Sequence, residues 1–127
     1  MNNEGECTKS KKLFVRYKDS KTFPIFTNGK KEFVLSSKQI LRSGTAIGAL
    51  VREAEYGQSK IDFIHKLTIS LKEANETEYW INILKDTNYI EIKLFESLLD
   101  DCKQLLKLLI TSIKTAKSNV QRATNNE

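Results

Sequence analysis

The sequence of 127 residues contains few of the residues that break helices or cross-link chains. One Pro and five Gly favour long helices over a turn-rich β fold. The only cysteines are Cys7 and Cys102, and the only histidine is His65. Together they are too few for a disulfide framework or a closed zinc site. We therefore predict no metal and no other cofactor, and we expect Cys102 to be a buried free thiol.

Long apolar runs are also absent. No segment approaches the roughly 20 apolar residues that a membrane span needs. The N-terminal stretch MNNEGECTKSKK lacks the apolar core of a signal peptide. We therefore expect a cytoplasmic protein with no membrane partner, and the length fits one domain with a single core.

The charge of the chain is basic but unevenly distributed. The formal net charge is +5, and residues 1–60 hold 12 Lys and Arg against 6 Asp and Glu. Residues 61–127 hold 9 against 10. This excess is compatible with a nucleic-acid partner without being diagnostic of one.

The first clear helical pattern lies over about residues 33–56. Apolar residues recur every seven positions, from Phe33 through Ile40 and Ile47 to Ala54. This is the spacing of a packed helix.

A tight turn separates this helix from the next, which we place at about residues 60–85. Gly57 is predicted to end the first helix in the left-handed conformation. Ser59 is predicted to cap the second helix, with Asp62 in its first turn. The predicted buried stripe of the second helix is Ile61, Ile64, Leu67, Leu71, Ala74, Ile81 and Leu84.

The last helix, at about residues 91–118, has the broadest apolar face. Its predicted core residues are Phe95, Leu98, Cys102, Leu105, Leu106, Leu109, Ile113 and Ala116. Four further apolar residues widen this face, which predicts burial on more than one side and hence a homo-oligomer. They are Leu94, Leu99, Leu108 and Ile110. The short connections between the helices predict antiparallel neighbours in an up-and-down bundle.

Four charged residues lie beside or within the apolar stripes: Arg42, Glu53, Glu73 and Glu76. Glu73 and Glu76 share a helix face, and a carboxylate pair can serve acid–base catalysis or bind a metal. A di-metal bundle, however, needs repeated Glu-x-x-His motifs, which this chain lacks. We therefore predict structural ion pairs, with Arg42 buried against Glu73 or Glu76, and no catalytic residue.

Two stripes of basic residues remain. Lys38, Arg42, Ala49 and Arg52 lie near one line of the helix at 33–56, at positions i, i+4, i+11 and i+14, and Lys38 and Arg52 are its candidate nucleic-acid contacts. The last helix repeats this spacing with Lys103, Lys107, Lys114 and Lys117. One interpretation is a solvated helix face. The other is a surface that follows phosphates and binds nucleic acid without reading bases.

Two motifs carry a family resemblance. The first, RSGTAI, runs from Arg42 to Ile47 and matches an Arg-Ser-x-x-Ser-Ile pattern with Ala46 in place of Ser. The second, EANETEYW, begins at Glu73 and is complete. Over about residues 30–117 the chain resembles the four-helix-bundle family associated with intervening sequences of bacterial 23S ribosomal RNA genes. That family is related to the accessory variability determinants of diversity-generating retroelements.

The resemblance implies an up-down-up-down four-helix bundle with no enzymatic activity. It also implies a homo-oligomer, with a pentamer favoured, because relatives assemble as homopentameric rings. Accessory relatives bind nucleic acid and a reverse transcriptase, so RNA, DNA and such a protein are the expected partners.

The chain departs from the family pattern over residues 13–29, LFVRYKDSKTFPIFTNG. Relatives have a long amphipathic helix there, whereas Pro24 would break one. A short helix, an irregular segment and a short frameshift in the gene remain open as explanations. We therefore predict an all-α, up-and-down antiparallel four-helix bundle whose first helix is short or degenerate.

These observations predict a bundle domain at residues 13–118 between disordered polar tails at 1–12 and 119–127. Its expected role is that of a non-enzymatic, oligomeric platform associated with RNA or DNA. The alternative is a structural or protein-interaction module that does not bind nucleic acid.

Overall fold

The computed structural model describes residues 31–126, with side chains from Ser37 onward. This part of the chain is entirely helical apart from its turns. Its three helices are α1 (Lys31–Glu55), α2 (Lys60–Asp86) and α3 (Ile92–Asn125). The predicted all-α class is confirmed, and each helix begins close to its predicted start. None of these helices is both long and apolar enough to cross a membrane.

Several predictions fall on parts of the chain outside the described residues. They are the tail at 1–12, the segment at 13–29 with its open explanations, Cys7 and the side chain of Phe33.

The turn between α1 and α2 is closed by side-chain caps. Ser59 Oγ accepts a hydrogen bond from the N–H of Asp62 at 3.0 Å, and Asp62 Oδ2 accepts one from the N–H of Gln58 at 3.3 Å. The predicted left-handed conformation of Gly57 is wrong, because no glycine among the described residues has a positive φ. A β-carbon at Gly57 would instead lie 2.9 Å from Asp62 Oδ2, so the cap leaves little room for a side chain.

The turn between α2 and α3 uses an asparagine in the left-handed region. Asn88 has a φ of 62°, a conformation that asparagine tolerates better than most residues. Thr87 ends α2 by donating its N–H to the carbonyl of Ile83 at 3.0 Å. The turn therefore reverses the chain without a glycine.

The helices α1 and α2 are antiparallel and meet through small buried hydroxyl residues. The Thr77 hydroxyl donates to Ser43 Oγ at 2.8 Å, and the Ser70 hydroxyl donates to the carbonyl of Ile47 at 3.0 Å. Ser43, Ser70 and Thr77 are completely buried. Because these hydroxyls are hydrogen-bonded, their burial avoids the cost of an unsatisfied polar group.

The helix α2 lies between the other two. Cys102 Sγ of α3 lies 3.3 Å from the carbonyl oxygen of Ala74, and Lys85 Nζ lies 4.6 Å from the centre of the Phe95 ring. These contacts show that α3 is antiparallel to α2. No Cα atom of α1 comes within 8 Å of a Cα atom of α3, so α2 alone joins the described helices.

The core follows the predicted stripes with a few exceptions. Its largest completely buried residues are Ile47, Val51, Leu67, Thr77, Ile81, Leu84, Leu98, Cys102, Leu105 and Leu109. Ile61 was predicted to be buried, and this is wrong. Its side chain is 70% exposed, because the first turn of α2 lies at the end of the packed region. Ile64, Leu71, Leu106 and Ala116 are half-buried.

The helix α3 is longer than predicted. It continues to Asn125, through most of the segment that the sequence assigned to a disordered tail at 119–127. The segment after Lys117 contains no Gly or Pro, and its Gln, Arg and Ala residues favour helix. Because the segment is polar, it shows no apolar periodicity, although it is helical.

Candidate functional site

An ion-pair network spans α1 and α2. The guanidinium of Arg42 donates from Nη2 to Glu76 Oε1 at 2.6 Å. Its Nη1 donates to Glu73 Oε2 at 3.3 Å and to Glu73 Oε1 at 3.4 Å. The two carboxylates one turn apart on α2 thus hold a single arginine of α1.

Two further side chains complete this network. Gln39 Oε1 accepts from Arg42 Nε at 3.2 Å, and Trp80 Nε1 donates to Glu76 Oε1 at 3.1 Å. The Trp80 ring stands edge-on to Tyr79, with ring centroids 5.1 Å apart. Trp80 follows Glu76 by one helical turn, a spacing that could have revealed this contact in the sequence.

The network shifts the ionisation of its members. The hydrogen bond from Arg42 lowers the pKa of Glu76 below its ordinary value, and the hydrogen bond from Trp80 acts in the same direction. The same Arg42–Glu76 hydrogen bond raises the pKa of Arg42. Both groups therefore stay charged near neutral pH.

The network lies at the protein surface and not in the core. The side chain of Arg42 is 49% exposed, and those of Glu73 and Glu76 are 20% and 35% exposed. The predicted burial of Arg42 is therefore wrong, because its long side chain extends from the apolar stripe to the solvent edge. Glu53 does not join this network and pairs instead with Lys66 at 3.2 Å.

Three groups that could carry out chemistry are engaged or shielded. Glu73 and Glu76 are bound to Arg42. Cys102 is free and completely buried, and burial raises the pKa of its thiol to about 12, with Glu78 and Asp101 adding to the effect. The described residues contain no group of three His, Cys, Asp or Glu side chains placed to hold a metal ion.

The six predicted basic residues are all exposed. None of them forms an ion pair with another described residue. They are Lys38 and Arg52 on α1, and Lys103, Lys107, Lys114 and Lys117 on α3. Their exposure matches the sequence prediction, whereas a role in binding stays a prediction.

The second half of α3 has basic residues but no acidic ones. After Asp101, no Asp or Glu occurs until Glu127 at the end of the sequence, while four lysines and Arg122 lie between them. Steps of four, seven and three residues keep the four lysines within a narrow arc of the helix. This helix therefore carries a basic stripe that its own side chains do not neutralise.

An open groove between α1 and α2 was not anticipated from the sequence. It has a volume of about 940 Å³, and its lining includes Arg52, Tyr56 and Asp62. The side chain of Tyr56 is 79% exposed. No pattern in the sequence predicts this groove, because it depends on how the ends of two helices diverge around the turn.

The fold and the site together define a small all-α bundle protein with ion pairs between α1 and α2 and exposed basic residues on α1 and α3. The chain belongs to the 23S rRNA-intervening sequence protein family, whose model matches residues 4–111. The family resemblance seen in the sequence is thereby confirmed.

A solved structure supports the same assignment. It is a protein of unknown function from the S23 ribosomal protein family of Bacteroides thetaiotaomicron, and it is 46% identical to this chain. The match has a TM-score of 0.77 and covers 90% of this chain and 99% of that one. No curated protein matches this chain.

Replacing Arg42 should cost less stability than removal of a buried charge would. We expect Arg42→Ala to lower the free energy of unfolding by roughly 1–2 kcal/mol, because two solvent-screened ion pairs are lost. Chemical denaturation of both proteins measures this difference. Arg52→Ala on the same helix is the matched control, and it should change stability by less than about 0.5 kcal/mol. Equal stability of the Arg42→Ala variant and the wild type would contradict the account.

The stability that Glu76 contributes should be lost in acid. A carboxylate with a lowered pKa in the folded state stabilises the fold above its ordinary pKa, and this contribution disappears as the pH falls through the folded-state pKa. The difference in unfolding free energy between wild type and Glu76→Gln should therefore become smaller as the pH falls below 4.5, the ordinary pKa of a glutamate. The control is the same comparison in an Arg42→Gln background, where the pH dependence should be much smaller. An unchanged dependence there would show that Arg42 is not its cause.

Proposed function

We propose that this protein is a non-enzymatic, oligomeric platform that binds RNA or DNA through its basic helix faces. The observation that carries this proposal is the basic stripe of α3: Lys103, Lys107, Lys114 and Lys117. These lysines are exposed, form no ion pair with a described residue, and have no acidic neighbour further along their helix.

The dimensions of the stripe suit a nucleic-acid backbone. Its ends are 14 residues apart, which corresponds to roughly 21 Å along an α-helix. Lys38 and Arg52 on α1 are separated by the same number of residues and are also exposed. Lysines spaced in this way bind phosphates without reading the base sequence. We therefore expect weak, salt-dependent binding with little sequence preference.

Assembly of several copies would strengthen such binding. A single protomer exposes Tyr79 by 57%, Ile92 by 66% and Ile110 by 41%, which supports contacts between subunits on α2 and α3. A pentamer is favoured by the family resemblance, and repetition of the basic stripe around a ring would raise the local positive potential.

The same apolar side chains support a second candidate function. Exposed Tyr79 and Ile92 fit a protein-interaction module, whose partner could be a reverse transcriptase as in the accessory relatives. In that case the lysines would be a solvated surface, and binding to oligonucleotides would be absent at low salt.

The oligomer can be tested without any ligand. Light scattering of the purified protein at micromolar concentration should give the mass of several subunits, and five are favoured. A mass that corresponds to one chain would contradict the proposed oligomer.

The stripe is tested by replacing its four lysines, Lys103, Lys107, Lys114 and Lys117, with Gln. Nucleic-acid affinity should fall, and the slope of log affinity against log salt should flatten by up to about 3, at 0.7–0.9 per phosphate contact. Folding should hardly change, because exposed charges contribute little to stability. Salt titrations of wild type and variant on one oligonucleotide provide the measurement.

The matched control replaces the same four lysines with Arg, which keeps the charge and should keep the slope. Equal slopes for wild type and the Gln variant would mean that the stripe is a solvated face. The binding surface would then have to be sought at Lys38 and Arg52.

A further inference from the structure

The groove between the end of α1 and the start of α2 combines an exposed aromatic ring with an arginine. Arg52 lies in the last turn of α1, and Tyr56 is the first residue after this helix. Both line the groove of about 940 Å³. Tyr56 is the most exposed large hydrophobic residue of the described chain, at 79%. The groove thus presents a ring and a cation to one bound molecule.

Some of the charged residues that line this groove form ion pairs and others do not. Glu53 forms an ion pair with Lys66 at 3.2 Å. Asp62 accepts a hydrogen bond from the N–H of Gln58 in the cap of α2 but has no cationic partner among the described residues. Arg52 forms no ion pair with a described residue. Its guanidinium is therefore available for an anion, and guanidinium groups suit phosphate better than ammonium groups do.

The groove lies at the same end of the molecule as the second half of α3. A smaller cavity of about 200 Å³ separates the start of α2 from α3, and its lining includes Lys60 and Phe63 on α2 and Thr115 and Asn119 on α3. The first turn of α2 thus borders both the groove and the part of α3 that contains Lys114 and Lys117.

From these observations we infer that the groove binds one unpaired nucleotide of a single-stranded nucleic acid, with its base stacked on Tyr56 and a phosphate on Arg52. This inference rests on the proposed function and adds a site that prefers unpaired bases. Aromatic side chains hold unpaired bases by stacking, whereas the faces of bases in a duplex are already covered.

The inference is tested by fluorescence anisotropy with a labelled single-stranded RNA of about ten nucleotides, the corresponding DNA, and the RNA duplex. Tyr56→Ala should weaken single-strand binding roughly 5- to 100-fold, with an unchanged salt slope, because tyrosine releases no counterions. Its duplex binding should not change. Arg52→Gln should reduce the slope by about 1, because one phosphate contact is lost.

Two matched variants separate stacking from other effects. Tyr56→Phe keeps an aromatic face and should bind single strands like the wild type. Tyr56→Leu keeps a large apolar side chain without an aromatic face and should weaken single-strand binding as Tyr56→Ala does. Binding of RNA and DNA alike supports stacking as the shared chemistry, and tighter binding of RNA would add a contact to the 2′-hydroxyl.

Three outcomes decide against the inference. Equal single-strand affinity of Tyr56→Ala and the wild type would overturn it while leaving the lysine stripe as the binding surface. A smaller oligomer mass of Tyr56→Ala in light scattering would assign Tyr56 to a subunit contact instead. Absence of all nucleic-acid binding by the wild type at about 50 mM salt would remove the proposed function and this site with it.

Discussion

The antiparallel contact between α1 and α2 is the constraint on which the rest of the described structure depends. Buried hydroxyls of Ser43, Ser70 and Thr77 lie on this seam, and their hydrogen bonds define one register between the helices. A shift of either helix by one turn would break both interhelical hydrogen bonds and would leave Ser70 without its acceptor in the core, at a cost of roughly 1–3 kcal/mol. The register places Arg42 opposite Glu76, and it sets the shape of the groove at the far end of α1.

This seam also determines where unpaired charge remains. Three acidic side chains have partners across it: Glu73 and Glu76 bind Arg42, and Glu53 binds Lys66. The stripe lysines of α3 form no ion pair with another described residue, and α3 contains no carboxylate after Asp101. The part of α3 after Asp101 therefore has local positive charge, although residues 61–127 as a whole hold 9 basic against 10 acidic residues.

Much of this architecture could be predicted from the sequence. Heptad spacing located the helices, and the charged residues beside the stripes indicated which ones would meet. The degree of burial was harder to predict, because a helical wheel does not show that Arg42 extends to solvent or that Ile61 lies past the end of the core. The cap that crowds Gly57 and the groove beside Tyr56 depend on backbone paths through the turn, for which the sequence has no periodic signal.

The central claim is that the stripe on α3 contacts a nucleic-acid backbone, and lysine footprinting tests it most directly. The protein is acetylated with and without a single-stranded RNA at low salt, and modification of each lysine is measured by mass spectrometry. Lys72 and Lys93 are exposed but lie outside the stripe, so they serve as internal controls. The account predicts that RNA protects Lys103, Lys107, Lys114 and Lys117 while both controls stay reactive. Equal modification of stripe and control lysines with bound RNA would contradict it.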